Sequence, residues 1–213
     1  MPIKRGAEIA RHASSSAPAA CSIVNVGYRS TNFWVVSAGR SRFLVDLGWP
    51  GMFGALEANL KRMDIPLGEL SHGFATHYHM DHAGAAQDLK HAGMRLVVFD
   101  VQAPFVAPMA KWMKPGMHYT EITPDDNTVI PLAEGRALLR TLGIDGEFLH
   151  TPGHSDDSVS LVLDDGAAFT GDLTWPTLAG EGEIDVVTRS WELLRSKGAK
   201  QVYAGHGPIR GMP

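Results

Sequence analysis

The chain has 213 residues, 44% of them hydrophobic and 20% charged, with a formal net charge of −4. That length suits one globular domain with a substantial core. The slight acidity speaks against a nucleic-acid or anionic-membrane partner, because both need excess Lys and Arg. No apolar run approaches the roughly 20 residues needed to cross a bilayer.

Residues 1–20 start basic, lack the apolar core of a signal peptide and end in "SSSAPAA". They are expected to form a flexible extension ahead of a single domain spanning 21–213. The one cysteine, Cys21, has no partner for an internal disulfide. Together these features lead to the expectation of a cytoplasmic protein.

From Cys21 the pattern is strand-like: "SIVNV", "NFWVVSA" and "RFLVDLG", with "GRS" (39–41) as a tight turn between the last two. "MFGALEANLKRM" then places Phe53, Leu56, Leu60 and Met63 at helical spacing. "HGFAT" is expected as a strand, "AGAAQDLKHAG" as a helix closing at Gly93, and "RLVVFD" as a buried strand. "VQAPFVAPMAKWM" reads as a helix interrupted by its prolines, and 114–127 as a loop. Five short strands are expected next, in "NTVIPL", "RALLRTL", "GEFLHT", "SVSLVLDD" and "GAAFTGD". "EIDVVTRSWELLRSKG" is a helix with Ile184, Val187, Trp191 and Leu194 on one face, and "AKQVYAG" a final strand. Successive strand runs without crossover helices rule out a single parallel sheet and favour an α/β (α+β) arrangement of two facing sheets with helices outside.

The chemistry concentrates in "HYHMDH" (77–82), where three of the chain's 10 histidines and an aspartate stand within six positions. A solvated face does not need such a cluster and a packed core is penalised for it. His77, His79, Asp81 and His82, carried on a loop running into a helix, can converge on one point. Imidazole and carboxylate suit zinc, and imidazole also suits iron. Three further polar residues share one local grammar of strand, glycine and turn: His154 in "TPGHS", Asp172 in "TGD" and His206 in "AGHG". That grammar puts them on a common rim, where loops carry function. Taken singly, each would be a turn or capping residue.

Those motifs, in this order and together with "VDLG" (45–48), resemble the metallo-β-lactamase fold superfamily from about residue 21 onward. The resemblance implies an αββα sandwich of two mixed β-sheets, with helices on the outer faces and two divalent metal ions at the sheet edge. One ion would take His77, His79 and His154. The other would take Asp81, His82 and His206, with Asp172 bridging and Asp46 holding a ligand from behind. Zinc is the first expectation for both ions, with iron or manganese as alternatives.

A hydroxide held between two such ions would attack a small ester, thioester or lactone, and Asp81 would orient it and pass a proton to the leaving group. Tyr119 or His118, in the 114–127 loop, is expected to stabilise the oxyanion. The ligand set is that of glyoxalase II-type and lactonase-like members rather than true β-lactamases. Trp49, Phe53, Trp112 and Met117 are expected to give the pocket an apolar lining. Two alternatives stay open: a mononuclear iron enzyme resembling the persulfide dioxygenases, and a metal-stabilised binding module without catalysis. The expected partner is a small-molecule substrate, with no nucleic acid and no membrane. Oligomeric state is not legible in the chain.

Overall fold

The structure, a computed structural model, describes residues 21–213; the expected extension at 1–20 lies outside the described residues. Eleven strands form two sheets. The first contains β1 (Ser22–Asn25), β2 (Trp34–Ala38), β3 (Ser41–Val45), β4 (Leu70–Phe74), β5 (Arg95–Phe99) and β6 (Thr128–Ile130), in that spatial order. The second runs β11 (Arg210–Gly211), β10 (Gln201–Ala204), β9 (Ala167–Gly171), β8 (Val159–Leu163) and β7 (Gly146–His150).

Pairing is antiparallel from β1 to β3 and parallel from β3 to β6. In the second sheet β9 and β10 are parallel and the remaining pairs antiparallel. The expected turn between β2 and β3 is the two-residue link Gly39–Arg40, flanked by the pair Ala38↔Ser41. Gly39 has φ +61°, the left-handed conformation that a tight hairpin of matching twist demands at its first position.

Alternation along the strands builds three apolar layers. Trp34 and Val36, Phe43 and Val45, and Val97 and Phe99 point inward to meet Phe148, Leu161 and Phe169 of the second sheet. Phe74 sits at the middle, its ring centroid 4.9 Å from that of Phe148. The opposite faces of the same strands, Val35, Leu44, Leu96 and Val98, carry helix α1 (Phe53–Arg62) through Leu56 and Leu60. Helix α3 (Ala86–His91) covers the same face with Leu89. On the far side, Val162, Ala168 and Val202 receive Val187, Trp191 and Leu194 of α6 (Ile184–Ser196). Two sheets with helices on both outer faces follow, as the alternation predicted. Ile184, expected on the buried face of α6, is exposed at its first turn.

One element is reassigned. "RALLRTL" is not a strand but helix α5 (Gly135–Thr141), which buries Leu139. Arg, Ala and Leu are all strong helix formers, and no β-branched residue appears before Thr141. The segment after β5 is only a short α4 (Ala103–Val106) followed by a 3₁₀ stretch, Ala107–Trp112, because Pro104 and Pro108 each remove a helix donor. Among the described residues no helix is long and apolar enough to cross a membrane.

Candidate metal centre

Strand direction decides where the polar residues gather. Asp46 follows β3, the 75–79 loop follows β4, and these strands are parallel. His154 follows β7, Asp172 follows β9 and His206 lies just beyond β10, three strands that also run parallel to one another. The C-terminal ends therefore deliver all of them to one rim. Asp81 and His82 arrive on a single helical turn, α2 (Met80–Ala83).

Close approach there depends on glycine. At Gly171, with φ +53°, a Cβ would overlap the Thr76 hydroxyl. At Gly205 a Cβ would lie 2.6 Å from a ring carbon of His82.

Two groups of donors result. His77, His79 and His154 form one, and Asp81, His82, Asp172 and His206 the other; within each group the donor atoms all lie within 4.8 Å of one another. In the first, His154 Nε2 is 3.1 Å from His79 Nδ1. In the second, His206 Nε2 is 3.2 Å from Asp81 Oδ2 and 3.3 Å from Asp172 Oδ2, and His82 Nε2 is 3.4 Å from Asp172 Oδ2. Asp172 Oδ2 also stands 3.8 Å from His154 Nε2, so one carboxylate reaches toward both groups. Tetrahedral ligands about 2.0–2.1 Å from one ion stand roughly 3.3 Å apart, close to these separations.

Several of these atoms have no other employment. His77 Nε2, His82 Nε2 and Asp172 Oδ1 are buried without a hydrogen-bond partner among the described residues. An orphaned buried polar atom costs about 1–3 kcal/mol, so three at one rim are retained for something that binds there. Orphaned imidazole nitrogens and a carboxylate oxygen, at ligand spacing, fit divalent metal ions.

Residues behind the donors fix which nitrogen faces inward. Asp46 is buried and takes φ +63°, an unusual conformation for aspartate that turns its carboxylate back along the rim. Its Oδ2 lies 2.9 Å from His82 Nδ1, and its Oδ1 accepts both the Thr76 N–H at 2.8 Å and the Thr76 hydroxyl at 2.9 Å. Having given its proton to Asp46, the Thr76 hydroxyl is left to accept from His77 Nδ1 at 3.2 Å. Both rings are thereby set with Nε2 toward the centre. His206 Nδ1 donates to the Ser30 carbonyl at 2.6 Å, with the same result.

Electrostatics differ between the two buried rings. Burial, reinforced by the surrounding imidazoles, holds the pKa of His77 well below the usual histidine range. His77 is thus a neutral lone-pair donor. For His82 burial acts in the same direction, but Asp46 and Asp172 outweigh it and raise the pKa well above that range. Burial alone would raise the pKa of Asp172, yet the close approach and charge of His82, with the charges of His206 and His154, lower it.

Some contributors were not visible in the sequence. Asp157 is buried, accepts the Tyr78 N–H at 2.7 Å and takes a hydrogen bond from Ser155. It ties the loop of His77 and His79 to the loop of His154. Gln102, with no exposed surface, completes the tie by donating to the carbonyls of Ala75 at 2.9 Å, Thr76 at 3.2 Å and Asp157 at 3.2 Å. Thr31 donates to Asp81 Oδ2 at 3.4 Å and accepts from Trp49 Nε1 at 3.0 Å. The "SDDS" after His154 was the available signal for Asp157; an isolated Gln gave none.

His118 and Tyr119 are not among the residues gathered at the rim. The Tyr119 hydroxyl accepts from its own loop, the Ile122 N–H, at 3.3 Å, and its ring packs on the outer apolar layer. Beyond it the loop is pinned along α3: Lys90 donates to the carbonyls of Thr123 at 2.7 Å and Asp125 at 2.6 Å. His118 lies against the turn at Gly51. Tyr78, between His77 and His79 in the chain, is buried, its hydroxyl also unpartnered among the described residues. Of the expected lining, Trp112 borders the centre beside His79 and Asp81, and Trp49 reaches it through Thr31. Phe53 packs on the outer layer, and Met117 accepts the Lys114 N–H within its own loop at 3.4 Å.

Comparison with known proteins agrees with this geometry. Residues 26–206 match the family described as the Metallo-beta-lactamase superfamily. A lactamase-like protein of Pestalotiopsis microspora is 30% identical over 186 residues, covering 85% of this chain and 50% of that protein. An atrochrysone carboxyl ACP thioesterase of Emericella nidulans is 33% identical over 186 residues, covering 85% of this chain and 52% of its own length. The chain thus spans about half the length of these curated relatives. Among solved structures, a metallo-beta-lactamase family protein of Thermus thermophilus superposes with TM-score 0.68 at 20% identity, covering 90% of this chain and 75% of that one. A di-iron-bound protein, TTHA1623, gives TM-score 0.66 at 24% identity, with 89% and 94% covered. With the matched segment running from the first sheet to the last donor, this chain belongs to the metallo-beta-lactamase superfamily.

Proposed function

We propose that this chain is a metal-dependent hydrolase with a dinuclear centre of zinc-type ions, cleaving a small-molecule ester, thioester or lactone. The observation that carries this reading is the set of orphaned donors in two adjoining groups, with Asp172 reaching toward both. His77, His79 and His154 would hold one ion and Asp81, His82 and His206 the other, with Asp172 between. When bound, such ions supply Lewis acidity and lower the pKa of water to near neutrality.

The chain's own residues do the rest. Asp46 and Thr76 keep two imidazoles in the ligating tautomer, while Asp157 and Gln102 hold the two loops in register. Asp81, whose side chain is partly exposed, would in this reading take a proton from the attacking water and pass it to the leaving atom. In the balanced reaction the water oxygen bonds to the carbonyl carbon, the C–S or C–O bond breaks, and the thiol or alcohol leaves with the proton. The relative named as an ACP thioesterase supports the thioester as the leading class.

Elemental analysis and oxygen uptake on one preparation test the reading. The expected result is two divalent ions per chain, hydrolysis of members of a thioester, ester and lactone panel, and no oxygen consumption. The Asp172→Ala protein should then lose both turnover and an ion. One iron per chain with thiol-dependent oxygen uptake would overturn the reading in favour of a dioxygenase chemistry.

A further inference from the structure

Among the described residues, two clefts border the centre and share no lining residue. One, of about 360 Å³, is formed by Tyr78, His79, Met80, Asp81, Met109 and Trp112. The other, of about 290 Å³, runs along Leu173, Thr174, Trp175 and Leu178 and reaches His154, Asp172 and His206. Each cleft touches both donor groups: the first through His79 and Asp81, the second through His154 together with Asp172 and His206. A carbonyl held at the donors therefore adjoins two separate clefts.

We propose that the substrate is an open-chain thioester lying across the centre, its acyl group in the Met80–Met109–Trp112 cleft and its thiol arm in the Trp175–Leu178 cleft. This inference rests on the hydrolase reading above and narrows it. A lactone, whose two arms are joined in a ring, would fill only one cleft.

The assignment of arms follows from the walls. Two methionines and a tryptophan make an adaptable apolar lining suited to an alkyl chain. Trp112 is 71% exposed, an apolar ring that the described residues leave largely uncovered. Beside the second cleft, the Arg210 guanidinium lies 5.5 Å from the Trp175 ring, giving that side a cation for a polar or anionic end of the thiol arm. Leu178, 75% exposed, forms its outer lip.

Because both tips are on the surface, Trp112→Ala and Leu178→Ala leave the core and the donors untouched. The probes are thioethers, inert isosteres of thioesters, in which alkyl length and thiol arm (pantetheine or N-acetylcysteamine) vary independently. Their affinity for the metal-loaded protein is measured by calorimetry. In the unaltered protein each added methylene should tighten binding about fourfold, the equivalent of about 0.8 kcal/mol. Trp112→Ala should flatten that dependence and keep the preference for pantetheine; Leu178→Ala should do the reverse. An unchanged alkyl slope in Trp112→Ala overturns the inference, as do two variants that shift both preferences together, or a lactone binding as well as the thioethers. Should the thioethers follow the expected pattern while no thioester is hydrolysed, the clefts stand and the hydrolase reading falls.

Discussion

Asp46→Asn tests the site from behind. The side-chain oxygen at the Oδ1 position receives two donors, the Thr76 N–H at 2.8 Å and its hydroxyl at 2.9 Å. In the Asp46→Asn protein the amide oxygen must stay there to accept both. The NH₂ is then forced into the Oδ2 position, 2.9 Å from His82 Nδ1, where it can only donate. His82 Nδ1 must become an acceptor, and the ring proton moves to Nε2, the atom that faces the donors. A proton there competes directly with an ion.

Loss of an outer-shell partner costs about 10–100-fold in metal affinity. Tautomer reversal puts this substitution at the upper end, about 100-fold or about 2.8 kcal/mol at tenfold per 1.4 kcal/mol. The assay is competition against a chromophoric chelator, read as stoichiometry and affinity per chain, with circular dichroism confirming the fold. One ion should weaken by that factor and the other much less. A folded Asp46→Asn protein that binds both ions as tightly as the parent would refute the tautomer argument.

Asp157→Asn replaces a carboxylate that accepts from Tyr78 N and Ser155 with an amide that can accept at only one of its two positions. We expect about tenfold weaker binding of the ion proposed at His77, His79 and His154 by the same competition assay, with the other proposed ion little affected. Phe74→Ala empties the middle of the inter-sheet layer, where Phe74 meets Phe43, Phe99 and Phe148. It should cost about 3–5 kcal/mol in denaturant unfolding; a loss below about 1 kcal/mol would mean that the layer is not close-packed. Cys21 has its thiol pKa raised, by burial first and then by Asp165 and Asp145. Less thiolate is present at a given pH, so alkylation by iodoacetamide at about pH 8 should be slower than that of free cysteine and should quicken as pH rises. A rate equal to the free thiol's would contradict the placement of Cys21.

The rim is legible because imidazoles rarely crowd. "HYHMDH" admits few explanations, and once it is read as ligands, the strand–glycine–residue pattern at His154, Asp172 and His206 follows. Period-two alternation likewise foretells the layers, since Phe43 and Val45 point one way and Leu44 the other. Asp157 and Gln102 are illegible for the opposite reason. An aspartate in "SDDS" has the composition of a turn, and only the meeting of two loops far apart in the chain shows it buried between them. "RALLRTL" misleads because a short apolar run fits both periods, although its residue types favour helix. Tyr119 looks available because its loop is polar, but whether a loop lies over a site or along a helix depends on tertiary contacts such as those of Lys90.

The donors are divided between the two halves of the sandwich: His77, His79, Asp81 and His82 hang from the first sheet, His154, Asp172 and His206 from the second. Neither half alone brings both groups together, so tight coordination exists only after docking. Ions that bind the native state but not the separated halves hold it together by mass action, adding about 2.7 kcal/mol when free metal stands at about a hundred times the dissociation constant. The centre is therefore also a clasp. A chain emptied by a chelator should begin to come apart along the seam between its sheets, at the rim where the donors meet.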